Sequence, residues 1–168
     1  MQTSEQKLKY LYKTIETLWH GTDTNAGDYP KIINLYKEVL KLNPKDRDAW
    51  ENMIWLFWSL SINNKDTGLL LEAEKFAKRY LSVMPNGYRS YEYLGIVYRS
   101  MVKDERLAIR YYESAVRWKD CPASTYNSLV ALCIKNKEKI RAKDYCILAL
   151  KKYPKDNYSL MRLKEVNQ

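Results

Sequence analysis

At 168 residues, 46% apolar and 29% charged, the chain has room for one domain-sized unit with a buried core. Five Gly and five Pro argue against an all-β fold with many tight turns, and no apolar window is long enough to span a membrane. The net charge of +9 and the pI of about 9.3 admit an acidic protein partner, nucleic acid or an anionic membrane surface. Lys and Arg are nevertheless spread along the whole chain with no run longer than two, as solvated outer helix faces would have them.

The apolar spacing predicts nine helices. The first covers Ser4 to Trp19, where Leu8, Leu11, Tyr12, Ile15, Leu18 and Trp19 fall at steps of three and four. His20-Gly21 ends it, and Gly21 to Gly27 reads as a polar loop. Asp28 caps the second helix, with Pro30 in its first turn where no amide donor is missed. That helix carries Ile32, Ile33, Tyr36, Val39 and Leu40 and stops near Asn43-Pro44. Asp46 or Asp48 starts the third, which runs through Trp50 to about Leu60. Ser61 to Gly68 is either a loop or an extended helix end. The fourth spans Leu69 to Ser82, the fifth Tyr88 to Met101 and the sixth Glu105 to Trp118. The seventh spans Ser124 to Lys135, the eighth Glu138 to Lys152 and the ninth Asn157 to Val166. Pro44, Pro85, Pro122 and Pro154 punctuate the chain after each even-numbered helix.

Two signatures repeat in register. One is Trp50-x-x-Met53-Ile54-x-x-Phe57, which returns at Tyr91 and Tyr126 and, more weakly, at Leu160. The other is Ala73-x-x-x-Ala77-x-x-Tyr80, which returns at Ala108 and Ala142 and begins at Ile32. Both series step by 41, 35 and 34 residues. The separation from Trp50 to Ala73 is seven residues longer than that from Tyr126 to Ala142, and one extra residue precedes Ala108.

This pattern of an aromatic, Leu-Gly, Tyr, Ala, an aromatic and a closing Pro resembles the tetratricopeptide repeat family. The match is best from Tyr91 to Pro122, through Leu94, Gly95, Tyr98, Ala108, Tyr112 and Ala115. The resemblance implies an all-α, right-handed superhelix of four helix pairs, at about 4–42, 46–82, 88–118 and 124–152. The helix at about 157–166 would cap it, making one repeat domain over 1–168. It also implies a non-enzymatic scaffold that holds a partner's peptide or helix on a concave face lined by the first helix of each pair.

Register places Asn52, Trp55 and Trp58 on that face from the third helix. The fifth helix adds Arg89, Glu92, Ile96 and Arg99, and the seventh adds Asn127, Ala131 and Lys135. Trp55 and Trp58 lie outside the seam and would anchor a partner side chain. Some members of the family clamp a terminal carboxylate with Lys, Asn and Arg. Lys9, Lys13, Asn52 and Arg89 fall near those positions, but Tyr93 stands where a second cation is expected, and a phenol cannot pair bidentately.

Catalysis has no foothold in the sequence. His20 is the only histidine and sits where a helix-end role accounts for it, and the phosphate-loop, zinc-protease and nucleophile-elbow patterns are all missing. No cofactor or metal is expected. Cys121, Cys133 and Cys146 form no paired motif and leave an odd count, which implies a reducing, cytoplasmic setting; Cys133 and Cys146 replace apolar seam positions and read as small buried side chains. The competing expectations are a basic, tyrosine-rich surface that binds single-stranded RNA and a scaffold that associates with itself.

Overall fold

The computed structural model describes residues 3–19 and 28–167. The helix end expected at His20-Gly21 and the loop expected to Gly27 lie outside the described residues. Nine α-helices form among those described, and no strand does. They are α1 (Ser4–Trp19), α2 (Tyr29–Leu42), α3 (Arg47–Asn64), α4 (Thr67–Val83), α5 (Tyr88–Ile96), α6 (Glu105–Ala115), α7 (Ala123–Lys135), α8 (Lys139–Lys152) and α9 (Asn157–Val166). The chain divides into two compact units, residues 1–84 and 85–168. In the first, α1 packs on α2, α2 on α3 and α3 on α4. In the second, α5 packs on α6, α6 on α7, α7 on α8 and α8 on α9.

Aspartates set the helix starts. Asp28, Asp46, Asp66, Asp104 and Asp156 each accept a backbone N–H from the first turn of the helix that follows, at 2.7–3.2 Å. Each such cap is worth about 1 kcal/mol. For α3 the cap is Asp46, and Asp48 lies inside the first turn.

The two irregular spacings have distinct outcomes. The seven-residue insertion makes no loop. It lengthens α3 to Asn64 and starts α4 at Thr67, adding about a turn to each helix. Seven residues are close to two helical turns, so both seams keep facing each other. The single extra residue before Ala108 is taken up inside the helix. After Ile96 the backbone continues as π-helical turns over Val97–Val102, the device by which an α-helix absorbs one added residue.

Three turns within helix pairs place a lysine in the left-handed region: Lys65 (φ 52°), Lys103 (φ 63°) and Lys137 (φ 61°). Each precedes the acidic residue that opens the next helix, Asp66, Asp104 or Glu138.

Rings and small side chains alternate across the seams. In the first unit Trp50 stacks on Tyr80 at 6.2 Å and leans on Phe76 at 5.8 Å, and its indole N–H donates to the Pro44 carbonyl at 2.9 Å. In the second, the corresponding Tyr126 donates its hydroxyl to the Val116 carbonyl at 2.8 Å. Both aromatics thus bury a large apolar body and satisfy a polar tip. Gly95 meets the buried ring of Tyr112: a Cβ on residue 95 would stand 3.0 Å from three of its carbons. Cys121, Cys133 and Cys146 are buried free thiols. Burial pushes the last two up to about 11.

Two stability outcomes follow. Gly95→Ala forces Tyr112 aside and should cost about 1–3 kcal/mol, the range for overpacking a tight core; an unchanged melting temperature would contradict the α5–α6 packing. Lys65→Gly, Lys103→Gly and Lys137→Gly should each gain roughly 0.5–1 kcal/mol. The left-handed penalty removed is ~1–2 kcal/mol and the added chain entropy is ~0.5–1 kcal/mol. Thermal or urea melts read both.

Candidate functional site

Within the first unit, α1 and α3 form two sides of a groove and α2 supplies part of its base. The groove encloses about 650 Å³ and is lined by Lys9, Tyr12, Lys13, Ile15, Glu16 and Trp19 of α1, Tyr36 of α2, and Asp48 and Asn52 of α3. Helical steps of four and three put Lys9, Lys13 and Glu16 on the rim as exposed charges. Ile15 and Tyr36 are buried beneath them.

Two tyrosines fix the walls. The Tyr12 hydroxyl donates to Asp46 Oδ1 at 2.5 Å, and the same oxygen caps α3 through Ala49 N. One carboxylate therefore starts α3 and holds α1 against it. Burial, reinforced by that hydrogen bond to a carboxylate, pushes the Tyr12 phenol well above the usual tyrosine range. Tyr36 packs edge-on to Tyr12 at 6.3 Å. Burial raises the Tyr36 phenol too, while hydrogen bonding with Trp19 and Asn52 pulls in the opposite direction.

Trp55 lies one helical turn beyond Asn52. It is 43% exposed, with its ring 5.7 Å from Trp19, which in turn meets Tyr29 at 5.8 Å. The first helix thus supports one side of Trp55 and leaves the rest open. Trp58 is half-buried, and its carbonyl accepts the Ser61 hydroxyl at 2.7 Å.

The residues expected in the second unit are mostly engaged within the fold. Glu92 accepts the hydroxyl of buried Thr125 at 2.5 Å. Asn127 donates to Asp156 at 3.2 Å and accepts from Ser159 at 3.2 Å, fastening α7 to α9. Lys135 pairs with Glu105, which also takes Asn136 at 2.8 Å. Arg89 is half-buried, its guanidinium 5.7 Å from the Tyr88 ring centre, and Ala131 is half-buried. Ile96 and Arg99 are exposed. Arg99 lies beside the Tyr112 hydroxyl, whose pKa burial raises and Arg99 lowers.

The structure thus brings Lys9, Lys13 and Asn52 to one groove, while Arg89 belongs to the second unit. Tyr12, Trp19 and Tyr36, the aromatic part of that groove, read in the sequence as ordinary helix-face residues. The one signal for them is Tyr12 lying among Lys9, Lys13 and Glu16 on the same helix. Among the described residues, no cluster of His, Cys, Asp and Glu could hold a metal ion.

No protein-family model matches the sequence, and no curated protein matches it. Solved structures do. The chain superposes on the crystal structure of MamA protein with a TM-score of 0.69 at 15% identity, covering 96% of this chain and 81% of that one. TTC0263, a thermophilic TPR protein in Thermus thermophilus, gives 0.66 at 16% identity over 99% and 82%. YrrB, described as a TPR protein with an unusual peptide-binding site, gives 0.64 at 10% identity over 98% and 76%. The chain has the tetratricopeptide-type fold. The likeness covers both units, including the second pair with its lengthened helices and the pair interrupted by π-helical turns.

The tyrosines set a pH dependence. A phenol whose pKa is raised on folding contributes stability that is complete below the unfolded value of 10.0 and is lost as pH rises above it. The melting temperature should therefore fall as pH climbs past 10. Tyr12→Phe should lower stability at neutral pH and flatten that alkaline decline. An identical slope in the variant would show that Tyr12 does not need its proton.

Proposed function

We propose that the chain is a non-catalytic adaptor that holds a peptide segment of a partner protein, with the groove between α1 and α3 as its principal site. The observation that carries this is a groove of about 650 Å³ with an aromatic lining and rim lysines, beside which, one turn beyond Asn52 and against the lining Trp19, stands a tryptophan 43% exposed. A large aromatic open on one side and backed by another ring is the kind of anchor that dominates binding energy. Lys9 and Lys13 would draw an acidic segment to the rim, and Asn52 would bond its backbone or side-chain oxygens. Glu16 and Asp48, which also line the groove, would reject a uniformly acidic chain and set direction. The ligand class is therefore a peptide with an apolar side chain next to an acidic one. The peptide-binding neighbour of like fold supports this reading. Three free, buried thiols support a reducing compartment such as the cytoplasm.

Panning the protein against an immobilised random peptide library supplies the probe. The recovered peptides should pair an acidic with an aromatic or aliphatic residue. Trp55→Ala should weaken them at least tenfold, about 1.4 kcal/mol, with little change in melting temperature because the ring is half open. Lys9→Glu with Lys13→Glu should weaken them and remove the salt dependence. Unchanged affinity in the Trp55→Ala protein would end the proposal for this groove.

A further inference from the structure

The net charge of +9 is not shared evenly. Residues 85–168 carry +8 of it, with seventeen Lys and Arg against nine Asp and Glu. The spread of lysines along the sequence conceals this, because in the first unit acids offset nearly every base.

Much of the excess stands on the outer faces of α6 and α8. Their inner faces, Ala108, Tyr112 and Ala115 on one and Ala142, Cys146 and Ala149 on the other, are buried in the core. Glu113 of α6 joins the two helices, taking Arg141 at 2.5 Å and the Tyr145 hydroxyl, both from α8. Burial works against ionisation of Glu113, but those two hydrogen bonds prevail and hold its carboxyl below the usual range. With the inner faces buried and the flanks tied, the opposite faces look out together. On α6 and just beyond it these present Arg106, Arg110 and Arg117. On α8 they present Lys143 and Lys151, and the exposed acid among them is Asp144.

The same surface carries aliphatic side chains that the core does not use. Ile140 is 79% exposed, Ile147 47% and Leu148 49%. Their spacing of seven and eight residues puts them along one side of α8, among its lysines. From these features we propose that the outer face of α6 and α8 docks on an anionic lipid bilayer. Cations and protruding aliphatics on one helix surface are what such a boundary selects: the charges meet acidic headgroups while the aliphatics enter the headgroup–acyl zone. Bilayers accept protruding side chains without a matching pocket.

Single-stranded nucleic acid would use the cations but would need rings to stack on. The rings of these two helices are committed. Tyr111 stacks on Tyr98 at 5.3 Å, Tyr112 is buried, and Tyr145 is bonded to Glu113. Aliphatics at the exposed positions favour lipid over RNA.

The test is cosedimentation of the full chain with phosphatidylserine–phosphatidylcholine vesicles and with pure phosphatidylcholine vesicles. Binding should require phosphatidylserine and weaken with added salt. Arg106→Ser, Arg110→Ser and Arg117→Ser together should lower partition on the order of a hundredfold, since each cation near the surface is worth about fivefold. Ile140→Ser with Ile147→Ser should lower it at least several-fold at unchanged charge. Ile140→Ser alone, at a side chain almost wholly in water, is the variant that leaves folding intact, and a melt confirms it. Failure to sediment with the anionic vesicles overturns the proposal, as does equal partition of the isoleucine variants. Tight binding to polyuridylate without vesicle binding assigns the patch to nucleic acid and likewise overturns it.

Discussion

The close approach of a ring to a residue without a side chain, Tyr112 over Gly95, is the constraint on which the helix pairing rests. Two helices whose facing positions were both large would stand farther apart and leave gaps; two that were both small would bury too little. Setting large against small lets the backbones close while apolar area stays high. Ala73, Ala77, Ala108, Ala115, Ala142 and Ala149 repeat the small half of that arrangement, and Trp50, Tyr80, Tyr112 and Tyr126 repeat the large half. All are buried. The pairs from α3 to α8 share this use of small against large, so the pattern recurs from one of them to the next.

That alternation is local and periodic, so the sequence displays it directly. The starts of α1 and α9 follow the apolar steps, and the aspartate caps follow from short acceptors placed just ahead of apolar runs. The irregular places were legible only as counts. One extra residue before Ala108 could lie in a turn or in a helix, and the choice is a balance of backbone energies that spacing does not encode. The chain resolves it with π-helical turns, where the Asp104 amide reaches back to the Tyr98 carbonyl at 2.9 Å. The seven added residues after Leu60 are also taken up as helix, but as regular α-helical turns, because near-integral turns preserve both apolar seams.

The site was less legible than the fold for a separate reason. Register tells which way a side chain points, but not whether a neighbour already holds it. Register assigns Glu92 and Asn127 to a binding face, yet both are hydrogen-bonded within the second unit, to Thr125 and to Asp156 and Ser159. Tyr12 shows the converse. Its position in an amphipathic stripe suggests plain packing, whereas its hydroxyl ties α1 to the capping carboxylate of α3 and so shapes the wall of a groove. Pairings across some thirty residues, such as Tyr12 with Asp46 or Glu92 with Thr125, separate a structural polar residue from one available to a ligand.

Net charge alone is a weak guide to partners for the same physical reason. Arg141 carries a full charge but directs it at Glu113 and Glu138, and Lys152 directs its own at the carbonyls of Trp118 and Cys121. Such cations hold helices together, and their field is largely cancelled at short range. Arg110 and Lys143 differ by less than a turn in helical phase from residues of that kind, yet they face water. A one-dimensional count weighs both sorts equally. What a partner meets is the remainder, after the fold has taken the charges it needs, and in the second unit part of that remainder, Lys143 and Lys151, shares the outer side of α8 with Ile140 and Ile147.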